Sequence, residues 1–182
     1  MRARGWELSG CWVVMGLCFY ASAAWAQSGV AEDGAVLRAQ SSRLYEQGKY
    51  AAAAESAEQA VAADEKRWGP NHPDTAASLH QLAEAFAAMG DYSKALPITQ
   101  RALAVRERLL GPDHPDTATS LNDLGVLYLK TGDNPEAHRC TERALRIREK
   151  ILPPDDTAIA ESLNNLGEVL RREKNYDEAR QR

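Results

Sequence analysis

Gly111-Pro-Asp-His-Pro-Asp-Thr-Ala-Thr-Ser-Leu-Asn-Asp-Leu-Gly125 restates, 42 residues later, the stretch Gly69-Pro-Asn-His-Pro-Asp-Thr-Ala-Ala-Ser-Leu-His-Gln-Leu-Ala83. Carried through to Leu110 and Leu152, the two segments agree at 20 of 42 positions without a gap, which marks an internal repeat rather than coincidence. A further step forward meets Leu163, Leu166, Gly167, Tyr176 and Ala179. A step back meets Leu37, Leu44, Gly48, Tyr50, Ala53, Ala60 and Val61. The sequence therefore divides into repeats over 35–68, 69–110 and 111–152, and a fourth, incomplete one over 153–182.

Inside a repeat the apolar spacing is helical. Leu121, Leu124, Gly125 and Tyr128 fall at i, i+3, i+4 and i+7 on one stripe, and Ala137, Ala144 and Leu145 form a second. Between them Lys130-Thr-Gly-Asp133 reads as a break, with Gly132 ending a first helix (A) and Asp133 capping a second (B). Small residues at Ala53, Ala95, Ala137 and Ala179 allow the two helices of a hairpin to approach closely. A single hairpin leaves one stripe uncovered, so the hairpins must stack into an all-α, right-handed α-solenoid.

The Gly-Pro-x-His-Pro-Asp-Thr loop offers His72, Asp74, His114 and Asp116, but its residue types read as helix punctuation. Gly111 follows a helix, Pro112 stops it, Pro115 suits the first helical position, and Asp116 complements the positive end of the next helix. Each loop brings one histidine a full repeat from the next, which is not a metal-ligand arrangement. His80 and His138 lie on different helices and lack a carboxylate or cysteine placed to form a triad or dyad. Phosphate-loop, dinucleotide and H-E-x-x-H signatures are missing, so neither catalysis nor a cofactor is expected. With 22 Lys and Arg against 26 Asp and Glu, net −4, the chain does not have the basic balance of a nucleic-acid binder. Arg143 to Lys150, on a B helix, reads as a solvated outer face.

Residues 1–26 have a different character: Arg2 and Arg4, an apolar run from Cys11 to Tyr20, then Ala24-Trp-Ala26 before Gln27. This is the layout of a secretory signal peptide, so cleavage after Ala26, a linker over 27–34, and an exported product, periplasmic or secreted, are expected. The run is too short for a membrane span. Leu8-Ser9-Gly10-Cys11 also fits a lipobox, although it precedes the apolar run. After cleavage Cys140 is the remaining cysteine; it aligns with the apolar Ile98 and is expected to be packed rather than reactive.

Leu121-Asn-Asp-Leu-Gly125, Gly132, Ala137, Ala144 and Leu163-Asn-Asn-Leu-Gly167 resemble the tetratricopeptide repeat (TPR), and the G-P-x-H-P-D-T loops resemble its 42-residue kinesin-light-chain type. The resemblance covers about residues 31–182. It departs at Asn134, where Tyr50, Tyr92 and Tyr176 stand, at Thr99 and Thr141, and at Asp156-Thr157 in place of His-Pro. It implies a non-catalytic scaffold whose A helices line a concave groove for a peptide or protein partner. By repeat alignment the inward positions are Arg38, Ser42 and Tyr45; His80, Glu84 and Ala87; Asn122, Val126 and Leu129; and Asn164, Glu168 and Arg171. Asn122 and Asn164 stand out, because an amide can both donate to and accept from a peptide backbone. Two further expectations concern the end of the sequence: self-association through an uncapped last repeat, or a recognition arm belonging to a longer enzyme or regulator.

Overall fold

The computed structural model describes residues 33–180, with side chains as far as Lys174; the expected signal peptide and most of the linker lie outside the described residues. Seven helices follow in order: α1 Gly34–Glu46, α2 Tyr50–Trp68, α3 Pro73–Ala88, α4 Tyr92–Leu110, α5 Pro115–Thr131, α6 Asn134–Ile151 and α7 Thr157–Arg180. Among the described residues there is no strand. Each helix packs on its chain neighbours, and the A helices also touch across successive repeats, α1 to α3 and α5 to α7, as a stack of hairpins requires. No described helix is long and apolar enough to cross a membrane.

Small residues set the hairpin spacing. Ala53, Ala95 and Ala137 have no exposed surface, nor do Ala60, Ala102 and Ala144. The facing A-helix residues Leu79, Leu82, Leu121 and Leu124 are buried with them.

The repeated loop is built as helix punctuation, with one addition. His72 and His114 are themselves the N-caps: their ring Nδ1 atoms accept from the backbone N–H of Asp74 at 3.2 Å and Asp116 at 3.1 Å. Pro73 and Pro115 open their helices, and Thr75 and Thr117 donate back to the carbonyls of Gly69 and Gly111, each at 2.9 Å. One tetrapeptide, His-Pro-Asp-Thr, thus closes the loop on both sides.

The fourth repeat departs from the expected hairpin. Gly132 leaves α5 at φ 89°, a left-handed conformation that costs an L side chain but not glycine, and Gly48 and Gly90 do the same in the earlier repeats. The aligned residue in repeat four is Lys174. With no glycine to turn the backbone, α7 runs unbroken to Arg180. Its residues Leu163 and Leu170, aligned with the covered Leu121 and Tyr128, are 51% and 48% exposed.

Candidate functional site

Beneath the A-helix face runs a buried polar row that sequence inspection misassigns. Arg106 and Arg148 sit one repeat apart on α4 and α6; Arg148 lies in the segment expected to form a solvated face, yet the two are only 8% and 6% exposed. Arg106 donates to Ser120 Oγ at 2.7 Å and to the Asp116 carbonyl at 3.2 Å. Arg148 makes the same pair of contacts, to Ser162 Oγ at 2.8 Å and the Ala158 carbonyl at 2.7 Å. Each guanidinium ties its B helix to the first turn of the next A helix through a carbonyl and a serine hydroxyl. In repeat one the aligned position is Asp64, and the cation comes from Arg38 on α1, which bonds Asp64, Ser78, and both the side chain and carbonyl of Asp74.

Arg38 is therefore a brace between α1, α2 and α3 and is not free to meet a ligand. Two other expected groove residues are likewise committed. Asn122 is 2% exposed; its amide donates to Glu161 at 3.2 Å and its oxygen accepts from Asn165 at 3.1 Å, so it ties α5 to α7. Leu129 is 5% exposed and packs with Ala137 and Val169. These positions lie at the seams between repeats, where the neighbouring helix covers them. Tyr45 is exposed at the far end of the face, edge-on to Tyr50 with ring centres 5.2 Å apart.

The remaining residues converge on two adjoining pockets. The first, about 240 Å³, lies between α3 and α5. Its walls include Ala83, Ala87 and Leu127, and its rim carries His80, Glu84, Asp123 and Glu161. The second, about 680 Å³, lies between α5 and α7 and takes in Leu129, Lys130, Asn164, Asn165, Glu168, Arg171 and Arg172. Val126 lines both.

His80 is the electrostatic centre of the first pocket. Its Nδ1 lies 3.2 Å from Asp123 Oδ2, and its Nε2 lies 3.6 Å from Glu84 Oε1. Burial disfavours the imidazolium and Arg106 repels it, but Asp123, reinforced by Glu84, outweighs both and holds His80 above its ordinary pKa. Glu84 is also raised, first by burial and then by Asp123, against the opposing pull of His80 and Arg106. His138 has a carboxylate partner too, Glu173 on α7, with both oxygens 3.0 Å from Nδ1. The expectation that neither histidine has an acidic partner is thus corrected. Asp123 and Glu173 come from the next repeat, whereas Glu84 lies four residues after His80 on its own helix. Among the described residues no cluster of three or more His, Cys, Asp or Glu is arranged to hold a metal ion.

In the second pocket Glu168 accepts from Arg171 at 2.8 Å and from Arg172 at 2.7 Å, which holds its carboxyl down to about 2. Arg172 also donates to the Leu129 carbonyl at 2.7 Å. Asn164 is exposed on the rim. Cys140 lies away from both pockets, 4% exposed among Ala118, Leu121 and Leu124, and burial raises its thiol pKa.

Known proteins with this architecture agree with the geometry. A tetratricopeptide repeat profile matches residues 44–99 and 74–150, and a second matches residues 122–181. The kinesin light chain with nearly identical TPR-like repeats from Podosopora anserina is 28% identical, with a TM-score of 0.73 over 81% of this chain and 72% of its own. BtubC (BKLC) from P. vanneervenii superposes with a TM-score of 0.74 at 24% identity, over 92% of this chain and 68% of its own. The first TPR of Spaghetti (RPAP3), bound to the HSP90 peptide SRMEEVD, gives a TM-score of 0.60 at 18% identity, over 78% of this chain and 94% of its own. Among curated proteins none matches. The chain belongs to the tetratricopeptide repeat family, with repeats of the kinesin-light-chain type.

Proposed function

We propose that this protein is an exported, non-catalytic scaffold that holds an extended segment of a partner protein along its A-helix face. The observation that carries the reading is the pair of adjoining pockets between A helices, lined by half-exposed polar groups around the shared Val126. Support also comes from a peptide-bound domain of the same fold, the TPR of Spaghetti. Selection of a displayed random 12-residue peptide library on the full chain tests it. Enriched peptides should lose at least tenfold in affinity to a Val126→Glu variant, which places a charge between the pockets. Peptides that bind the variant equally well would refute the groove.

Export rests on the order of Arg2, Arg4, the apolar run and Ala24-Trp-Ala26. Recovery from a bacterial host of a soluble extracytoplasmic product that begins at Gln27 is the expected result; a cytoplasmic product that retains Met1 counts against it.

A second contact is proposed at α7. Leu163, Leu166 and Leu170 form the stripe that, in the first three repeats, each hairpin's own B helix covers, and the unbroken α7 leaves Leu163 and Leu170 exposed. The occupant proposed is α7 of a second copy, because two identical stripes are self-complementary across a two-fold axis. Sedimentation of the full chain should show a dimer that Leu163→Glu with Leu170→Glu converts to monomer. A wild-type monomer would assign the stripe to another segment.

A further inference from the structure

The A helices pack on one another at the first and last seams between repeats, α1 on α3 and α5 on α7, but α3 and α5 do not approach as closely and leave the first pocket between them. The apolar core divides at the same place. One cluster runs from Ala53 on α2 to Ala102 on α4 and a second from Ala118 on α5 to Ile147 on α6, with Leu127 reaching back to the first and Leu103 forward to the second.

Polar contacts repeat the pattern. Arg38 ties α1 to Asp74 and Ser78 on α3, and Gln81 donates to Ser42 at 2.9 Å. Asn122 ties α5 to Glu161 and Asn165 on α7, and Arg172 returns to the Leu129 carbonyl. None of these donors gains or loses a proton near neutral pH. Between α3 and α5, among the described residues, the polar contact is that of His80 with Asp123. The B-helix side of this middle seam is held separately, by Arg106 on Ser120 and the Asp116 carbonyl, Gln100 on the Tyr128 hydroxyl at 2.8 Å, and Arg143 on Glu107 at 2.6 Å. The seam is therefore fixed along α4, α5 and α6 and free to open between α3 and α5.

We infer that this seam is a hinge and that the His80 imidazolium is its latch: charged, it joins α3 to α5; neutral, it releases them, and repeats one and two swing away from repeats three and four about the α4 to α5 contact. Curvature in a stack of hairpins is the sum of small rotations at each seam, so one opened seam changes the whole A-helix face.

The groups around the ring account for the release. Glu84 faces it from α3, Asp123 from α5 and Arg106 from α4. Glu161 on α7 shares the pocket but is held by Asn122 and Arg148, and on the α1 and α2 side Arg38 and Asp64 hold each other. The 3.2 Å contact of His80 with Asp123 Oδ2 lacks hydrogen-bond alignment, so charge rather than a shared proton joins them. Once that charge is lost, the buried Asp123 oxygen has neither donor nor counter-charge, and Glu84, which already feels its repulsion, faces it with no cation between. An uncompensated buried charge is costly. Opening admits water, and it breaks little packing because α3 and α5 are not closely packed. Burial opposes the charge on His80, while Asp123 and Glu84 sustain it, so the latch is closed below the ordinary 6.5 and opens as pH climbs through the raised folded value.

Exposed Glu46, Ala88 and Lys130 occupy the same position in the first three repeats and allow the hinge to be measured. Paired spin labels are placed in the full chain, with Cys11, Cys18 and Cys140 changed to alanine. Ala88→Cys with Lys130→Cys spans the hinge, and Glu46→Cys with Ala88→Cys spans the first seam. From about pH 6 to about pH 9 the distance across the hinge should lengthen while that across the first seam stays constant. His80→Leu, with neither charge nor donor, should hold the hinge pair at the longer distance at both ends of the range. His80→Lys, charged throughout, should hold it at the shorter one, and it decides the matter should the leucine variant unfold. A hinge distance that ignores pH in the wild type, an equal change in both pairs, or a pH response that survives in His80→Leu or His80→Lys overturns the inference. None of these outcomes bears on whether the A-helix face binds a partner.

Discussion

Arg38 on α1 pairs with Asp64 on α2, and the two residues exchange the roles that repeats two and three give to a B-helix arginine. The carbonyl of Asp74 receives its guanidinium from Arg38, whereas those of Asp116 and Ala158 receive theirs from Arg106 and Arg148. The buried site at the start of each following A helix is conserved between repeats, while the helix that supplies its cation is not.

Removal of either member leaves the other without its charge partner. Arg38→Ala should cost about 2–3 kcal/mol, below the usual figure for a broken buried pair because Arg38 is 17% exposed while Asp64 is 2% exposed. Asp64→Arg alone should be worse, since it sets two cations together. Combining it with Arg38→Asn recreates the arrangement of Asn122 and Arg148 and should recover most of the loss. Urea unfolding of the wild type, Arg38→Asn, Asp64→Arg and the double variant gives the cycle, and simple additivity would show that the two positions are not coupled.

Leu124→Ala should cost about 2–5 kcal/mol, because the side chain is 2% exposed and packs among Ala118, Leu121, Cys140, Ala144 and Ile147 between α5 and α6. A loss near zero in chemical denaturation would mean that the buried and exposed stripes of α5 are interchanged.

His80 makes stability pH-dependent across the seam between repeats two and three. Asp123 and Glu84 draw it above its ordinary 6.5 against burial and the repulsion of Arg106. A raised folded value means the stabilisation is complete below 6.5 and is lost as pH climbs through the folded pKa. Glu84, also raised, acts with the same sign, because its ionisation is disfavoured in the fold. Asp123→Asn should flatten this alkaline-side loss in thermal melts taken at stepwise pH. Glu168 has the opposite sign: depressed from 4.5 to about 2, its contribution is present above 4.5 and fades as pH falls.

Cys140 should resist thiol reagents in the folded protein. Burial both shields the sulfur and raises its pKa, so less thiolate is available. In a chain that begins at Gln27, labelling should accelerate by orders of magnitude in urea. Equal rates with and without urea would place Cys140 at the surface.

The sequence made the hairpins legible because their determinants are local and recur: Ala137 beside Leu124 for close packing, Gly132 for the turn, Pro115 for the helix start. The same logic explains where reading by repeat failed. Lys174 in place of glycine removes the turn of repeat four, and alignment alone counted that position as part of another hairpin. Asn122 and Leu129 were assigned to the groove by register, but register does not tell how closely the next A helix approaches, and α7 covers both. Arg148 looked like surface because its partners Ser162 and the Ala158 carbonyl lie in the following repeat. His80 hid its role similarly, since Asp123 meets it only after stacking. What depended on one repeat was readable; what depended on the seam between two was not.

Where a ligand sits on the full chain decides whether the A-helix face is the binding surface. Amide chemical shifts of the isotope-labelled full chain, recorded as a library-selected peptide is titrated in, should change along α3, α5 and α7, with the largest shifts around Val126, Asp123 and Asn164 and little change on α2, α4 and α6. Shifts concentrated on the B helices or on the His72 and His114 loops would contradict the claim that the A-helix face is the binding surface.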